Sequence, residues 1–426
     1  MKNLKICAAV SAALLSSSGA FALNQADTVA APTQLVVAGA SAARDNFQAE
    51  FALLCQAGTL NLYRALPTAN QDFRAYSCTL LNAAPVPVAL RNTNATVYYR
   101  SEGGAGWGPG SIAKSTQIMR LVVDGACTLA APPALGDCAV AGYTLGTDTG
   151  TGHIVKATTD LGVADQEPAM YRGENWVGGA LGTEPAAGVL EALAKSTGFA
   201  QTFGVLVNSA LPITSISAQD VASIYAGNYS DWSQVQDQAT GNPLPALPIT
   251  VCRRENGSGT QAGAGIFFLQ QNCGVSSEPF VTAPAGPNGN PVVENGTTTS
   301  VETCTAANAG SIGPNIFKSP APAGTKYLAI DGVAPSKVNA ARGTYRYWFE
   351  TSFAKRPGLA GNPNALADLL IARARAVAGI PGTSASAFAI PGLSGNSPVL
   401  PVAAAGTPVG IGTKGGNSCK TPLGQL

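Results

Sequence analysis

Arg254-Glu255-Asn256-Gly257-Ser258-Gly259-Thr260 puts one guanidinium, two hydroxyls and two glycines ahead of a helical pattern running from Thr260 to Gln271. Glycine allows close approach to the backbone. The free N–H groups of a helix start favour an anion. Arginine adds a permanent charge and a planar fork of donors. Together these features make a cradle for a tetrahedral oxyanion. The segment follows directly on a short apolar strand, Ile249-Thr250-Val251.

The same arrangement recurs along the chain. Leu35 to Ala38 is an apolar strand, followed by Gly39-Ala40-Ser41 and a helical pattern with Phe47, Phe51 and Leu54 on one face. Val97-Tyr98-Tyr99 is a strand that leads to Gly103-Gly104-Ala105-Gly106. Asp160-Leu161-Gly162-Val163-Ala164-Asp165 is a strand with a carboxylate at its end. Further on, Phe203–Asn208 and Ser311–Gly313 read as buried strands and Tyr345–Phe353 as an aromatic one. Ser217 caps a helix, with Asp220 three residues on and Gly227 as its stop. Asn362-Pro363 opens a helix reaching Ala378, and from Pro381 a Gly/Pro/Ser/Ala-rich tail reads as coil on the surface. Short strands alternating with helices predict α/β layers with mostly parallel sheets. Ligands in such folds sit beyond the carboxyl ends of strands, where the small-residue turns fall.

Composition narrows the function. Lys2 and Lys5, the apolar run from Ile6 to Leu15 and Ala20-Phe21-Ala22 read as a secretory signal over residues 1–22. An exported product, periplasmic or secreted, is expected. Without those two lysines, 23 basic residues face 24 acidic ones, so no basic surplus drives nucleic-acid binding. Eight cysteines remain after Cys7, an even number that suits disulfides in an exported chain. Pairing of sequence neighbours joins Cys55 to Cys78, Cys127 to Cys138, Cys252 to Cys273 and Cys304 to Cys419. The spacings are not those of CxxC metal pairs, so neither a metal nor another cofactor is expected. Residues 112–152, with Cys127 and Cys138, read as an inserted loop or hairpin.

These motifs, taken in order, resemble the phosphate-binding protein of the ABC phosphate uptake system. Ala218 to Trp232, Gly310-Ser311-Ile312-Gly313 and Gly343-Thr344-Tyr345 extend the resemblance, which covers roughly residues 34–350. It implies a two-lobe type 2 periplasmic-binding fold with a hinge of two crossovers. Lobe one would span 33–200 and 325–426, and lobe two 201–324. Inorganic phosphate or a similar oxyanion would be the ligand, with an ABC transporter membrane component as a partner.

By the same resemblance, Arg254 pairs with the anion's charge. Ser258, Gly259 and Thr260 donate hydroxyl and backbone hydrogen bonds, as do Ala40 and Ser41. Gly103 and Gly104 form the second turn, and Asp165 accepts a hydrogen bond from the ligand. Hydrogen phosphate has a proton to give Asp165, whereas sulfate at neutral pH has none and would face a buried repulsion. The chain departs from the family twice. Gly104 stands where a serine is common, and Asn256 where an aspartate often orients the arginine.

Each feature has a plainer reading. Arg254–Thr260 is also a helix cap with a surface arginine, Asp165 a turn aspartate, and Ser41 an N-cap. Trp232, Tyr345, Trp348 and Phe349 read as core, and His153, the only histidine, as a loop residue. Ser258 lacks a Gly-x-Ser-x-Gly context, His153 is the only imidazole that could serve it as a base, and the segment lacks the lysine and upstream glycine of a P-loop. A binding protein is therefore expected rather than an enzyme. A secreted adhesin, matrix or appendage protein reusing the binding fold is the competing class, favoured by the low charge and the cysteines.

Overall fold

The structure is a computed structural model that describes residues 25–66, 72–125, 127–128, 135–140, 154–397 and 406–424. The expected signal segment and His153 lie outside these residues.

In the first half, β1 (Thr33–Gly39) leads to α1 (Arg44–Ala52), then β2 (Asn61–Leu66), β3 (Phe73–Thr79), β4 (Asn94–Arg100) and α2 (Trp107–Lys114). β5 (Leu161–Ala164) follows and β6 (Lys195–Asn208) leaves this half. The second half has α3 (Ala218–Tyr225), β7 (Thr250–Arg254), α4 (Gly259–Leu269), β8 (Val292–Asn295), α5 (Thr298–Ala307) and β9 (Ser311–Ile316). β10 (Trp348–Lys355) returns, and α6 (Gly361–Arg375) closes the first half.

The result is the expected two-lobe α/β architecture. In lobe one, β1 runs parallel to β4 and β5. In lobe two, β7 runs parallel to β8 and β9. The sheet as a whole is mixed rather than mostly parallel, because β6 and β10 run antiparallel to each other and to their neighbours β9 and β5. These two strands make one sheet continuous across both lobes. Their ladder slips between Thr197 and Ala200, where the Thr351 hydroxyl donates to Phe199 O at 2.8 Å.

Each lobe has its own core. Leu35, Val37, Phe47, Phe51, Val97, Tyr99, Val163, Leu366 and Leu370 pack in the first. Phe203, Val205, Trp232, Val251, Ile312, Tyr345, Tyr347, Trp348 and Phe349 pack in the second. Trp232 is buried and its indole N–H donates to Gly310 O at 2.9 Å, so the large ring leaves no polar atom unpaired.

Two expectations are corrected. The first is the disulfide pairing, of which half stands. Cys55 is bonded to Cys78 and Cys127 to Cys138, as expected. Cys55 and Cys78 meet because residues 55 and 80 bridge beside the end of β3, which brings the end of the α1 segment against that strand. The other two pairs are exchanged: Cys252 is bonded to Cys304, and Cys273 to Cys419. Alternation along β7 turns Cys252 toward α5, where it clusters with Val301 and Cys304. Cys273 lies beyond the end of α4, where the C-terminal tail arrives. The second correction is that this tail is no surface coil, because Ala387 and Phe388 add to the edge of β6 and are fully buried. The 112–152 stretch opens with the end of α2; its Gln117–Leu121 strand pairs with Ile154–Thr158, and within it Cys127–Thr128 pairs antiparallel with Leu135–Ala139.

Candidate functional site

The carboxyl ends of β1, β4, β5 and β7 deliver the predicted turns to the junction of the lobes. Ser258 caps α4, and its hydroxyl accepts from Gln261 N at 3.4 Å. The first turn-to-turn bond of the helix is Ala262 N to Ser258 O at 2.9 Å. The N–H groups of Gly259 and Thr260 therefore precede the ladder, as free helix-start donors do.

Arg254 is 1% exposed. Its Nε donates to Asn295 O at 3.0 Å and Nη2 to Gly296 O at 2.9 Å, while Nη1 donates to Thr298 Oγ1 at 3.2 Å. The loop after β8 thus fixes the plane of the guanidinium. Thr298 Oγ1 lies 3.3 Å from Ser41 Oγ, so the chain Ser41, Thr298, Arg254 crosses between the lobes. Asn256 does not orient this arginine. Its carbonyl accepts from Arg253 Nη2 at 2.7 Å, and the carboxylate beside Arg254 is Glu255, at 3.6 Å.

Asp165 is 2% exposed, and its Oδ1 has no hydrogen-bond partner. Burial lifts its carboxyl from 3.8 to about 7 against the pull of Arg254. Burial also lifts Glu255 to about 7. Asp165 lies directly on the helix start: a methyl group built on Gly259 would sit 2.0 Å from Asp165 Oδ2. The adjacent Gln166 donates to Gly259 O at 3.0 Å and is held by the Tyr171 hydroxyl at 2.8 Å.

The glycine turn of β4 meets the same segment. Gly106 N donates to Gly257 O at 2.8 Å, across the lobes. Gly104 has φ +82°, and a methyl group there would lie 2.6 Å from Ser258 Cα. Only glycine permits both that conformation and that approach. Gly103, with φ +74°, backs onto Trp107. The lobes are therefore closed on each other at this point.

Two predicted donors are otherwise engaged. Ala40 N donates to Val163 O at 2.8 Å and Gly104 N to Ser101 O at 3.2 Å. Neither amide is available to a ligand. Ser41 is not a helix cap either, since α1 begins at Arg44 with Ala43 as its N-cap.

Sequence reading missed Arg44 and Asp72. Arg44 Nη1 contacts Asp72 Oδ1 at 2.7 Å, and Ser101 Oγ donates to the same oxygen at 2.6 Å. They line a cavity of about 60 Å³ between the lobes with Ser41, Thr298 and Lys318. An arginine in the first turn after β1 was the available signal.

Residues 200–352 match the model of a PBP superfamily domain. The periplasmic-binding resemblance read from the sequence thus holds for this stretch. No curated protein matches the chain. Among solved structures it is similar to a putative phosphate ABC transporter substrate-binding protein with bound phosphate from Clostridium perfringens. That match has 13% identity and a TM-score of 0.45, covering 79% of this chain and 93% of the other. An ABC-type phosphate transport receptor from Vibrio cholerae matches at 13% identity and a TM-score of 0.41, with coverage of 79% and 93%. A phosphate-binding protein from Stenotrophomonas maltophilia matches at 14% identity and a TM-score of 0.40, with coverage of 76% and 79%.

Proposed function

We propose that the protein is an exported solute-binding protein, not an enzyme, that closes its lobes on hydrogen phosphate or a related protonated oxyanion. The observation that carries this reading is the buried, unpartnered Oδ1 of Asp165 beside the start of α4. A carboxylate there asks for a hydrogen-bond donor, while Arg254 and the N–H groups of Gly259 and Thr260 ask for an anion. A ligand that satisfies both has negative oxygens and a proton. Ser41 reaches the same set through Thr298. Handing the ligand to an ABC transporter membrane component in the periplasm is the role such a binder would serve.

Titration calorimetry on protein refolded free of ligand tests the reading. Phosphate is expected to bind and sulfate to bind at least tenfold more weakly at pH 8. Asp165→Asn is expected to narrow that gap. Absence of heat with both anions would remove the binding role and leave the secreted structural reading.

A further inference from the structure

The far end of α4 carries a second pocket that the clamp does not use. Its volume is about 240 Å³, and Ile266, Phe267, Gln270, Arg346, Lys414 and Lys420 are among its lining residues, with the Cys273–Cys419 disulfide at its wall. It contains three cations and no carboxylate. We propose that this pocket is a binding site for a small organic carboxylate with an apolar body.

The key residue is Lys414. It is only 5% exposed. It lies 4.2 Å from the Phe349 ring centroid and 5.1 Å from that of Trp348. The nearby carboxylates are occupied. Glu350 accepts from the Thr413 hydroxyl at 2.6 Å, Lys414 N at 2.6 Å and Gly416 N at 2.7 Å. Both oxygens of Glu167 accept from Ser418 N, at 2.8 and 3.1 Å. These bonds strap the tail to β10 and to the segment after β5, with Lys414 lining the pocket.

A buried cation whose nearby carboxylates are engaged elsewhere is costly. Burial lowers Lys414 to about 8, with Glu350 and Glu167 acting in the opposite direction. An anion in the pocket would relieve that cost. Arg346 and Lys420 are exposed and frame the entrance. An inorganic oxyanion would satisfy the cations but leave the half-buried Phe267 ring facing water. A carboxylate bearing a ring or short chain satisfies the cations and covers that ring.

Ligand-observed NMR with benzoate as probe tests the site, run with saturating phosphate so that the cleft is engaged. Benzoate should bind in the millimolar range, and benzylamine, of the same shape and opposite charge, should not. Lys414→Gln should weaken benzoate at least fivefold, and the exposed Arg346→Ser about threefold. Phosphate affinity should be unchanged in both variants, which separates this site from the clamp. Benzoate that fails to bind, binds both variants equally, or is matched by benzylamine would overturn the proposal. Should Lys414→Gln not fold, the Arg346→Ser comparison alone decides.

Discussion

Replacing Asp165 with asparagine should make the ligand-free protein more stable, by an amount that grows with pH. The carboxyl has an ordinary value of 3.8 and sits at about 7 in the fold because burial disfavours its charge. Below 3.8 the folded and unfolded chains both hold the proton, and no penalty exists. Between those two values the folded state keeps a proton that the unfolded chain has released, so stability falls as pH rises. Above about 7 the penalty is complete. Each pH unit across the gap costs about 1.4 kcal/mol, which gives about 4 kcal/mol in all. An asparagine side chain cannot ionise and escapes this cost. Urea unfolding of both proteins, followed by tryptophan fluorescence at pH 4 to 8 without phosphate, gives the difference in unfolding free energy. The other titrating groups are common to both and largely cancel. The asparagine variant should gain about 4 kcal/mol over wild type between pH 4 and pH 8. A difference that stays flat within about 1 kcal/mol would refute the buried, unpartnered carboxylate. Added phosphate should reverse the ranking at pH 8, because the wild-type carboxylate accepts the ligand's proton more strongly than a neutral amide oxygen does.

Three other perturbations test separate parts of the clamp. Gly104→Ser restores the hydroxyl common in the family but wedges a Cβ 2.6 Å from Ser258 Cα. It should weaken phosphate at least tenfold and raise the radius of gyration in small-angle scattering. Arg254→Lys cannot reach Asn295 O, Gly296 O and Thr298 together, and should cost about 3 kcal/mol of stability in urea unfolding along with most of the affinity. Selectivity for phosphate over sulfate, measured by calorimetry, should decline as pH falls below about 7, because a protonated Asp165 can donate to sulfate.

Local chemistry was legible in the sequence wherever neighbours in the chain decide it. Ser217 and Ser258 are the caps that their positions imply, and Asp165 directly follows its strand at the junction of the lobes. Cys55 and Cys78 were paired correctly because they are near neighbours in sequence, 23 residues apart. What was not legible depended on contacts between distant segments. Nothing near Gly104 signals that Ser258 packs against it, so a tight lobe contact reads as a missing hydroxyl. Ala40 looks like a free donor until Val163 is placed beside it. Cys252 pairs with Cys304 because of the strand face it occupies, not its distance along the chain. The tail's composition suggests coil, yet Ala387 and Phe388 complete the sheet.

The ladder slip between Thr197 and Ala200 has a mechanical consequence. Two lobes that share one hydrogen-bonded ribbon are joined by a torsion bar rather than a string. Such a bar has a preferred pivot, a single axis and a restoring torque. The extra residue at the slip softens it locally, and the Thr351 hydroxyl bond to Phe199 works as a detent. Any rotation of one lobe against the other should then centre on this slip and work against the ribbon's twist.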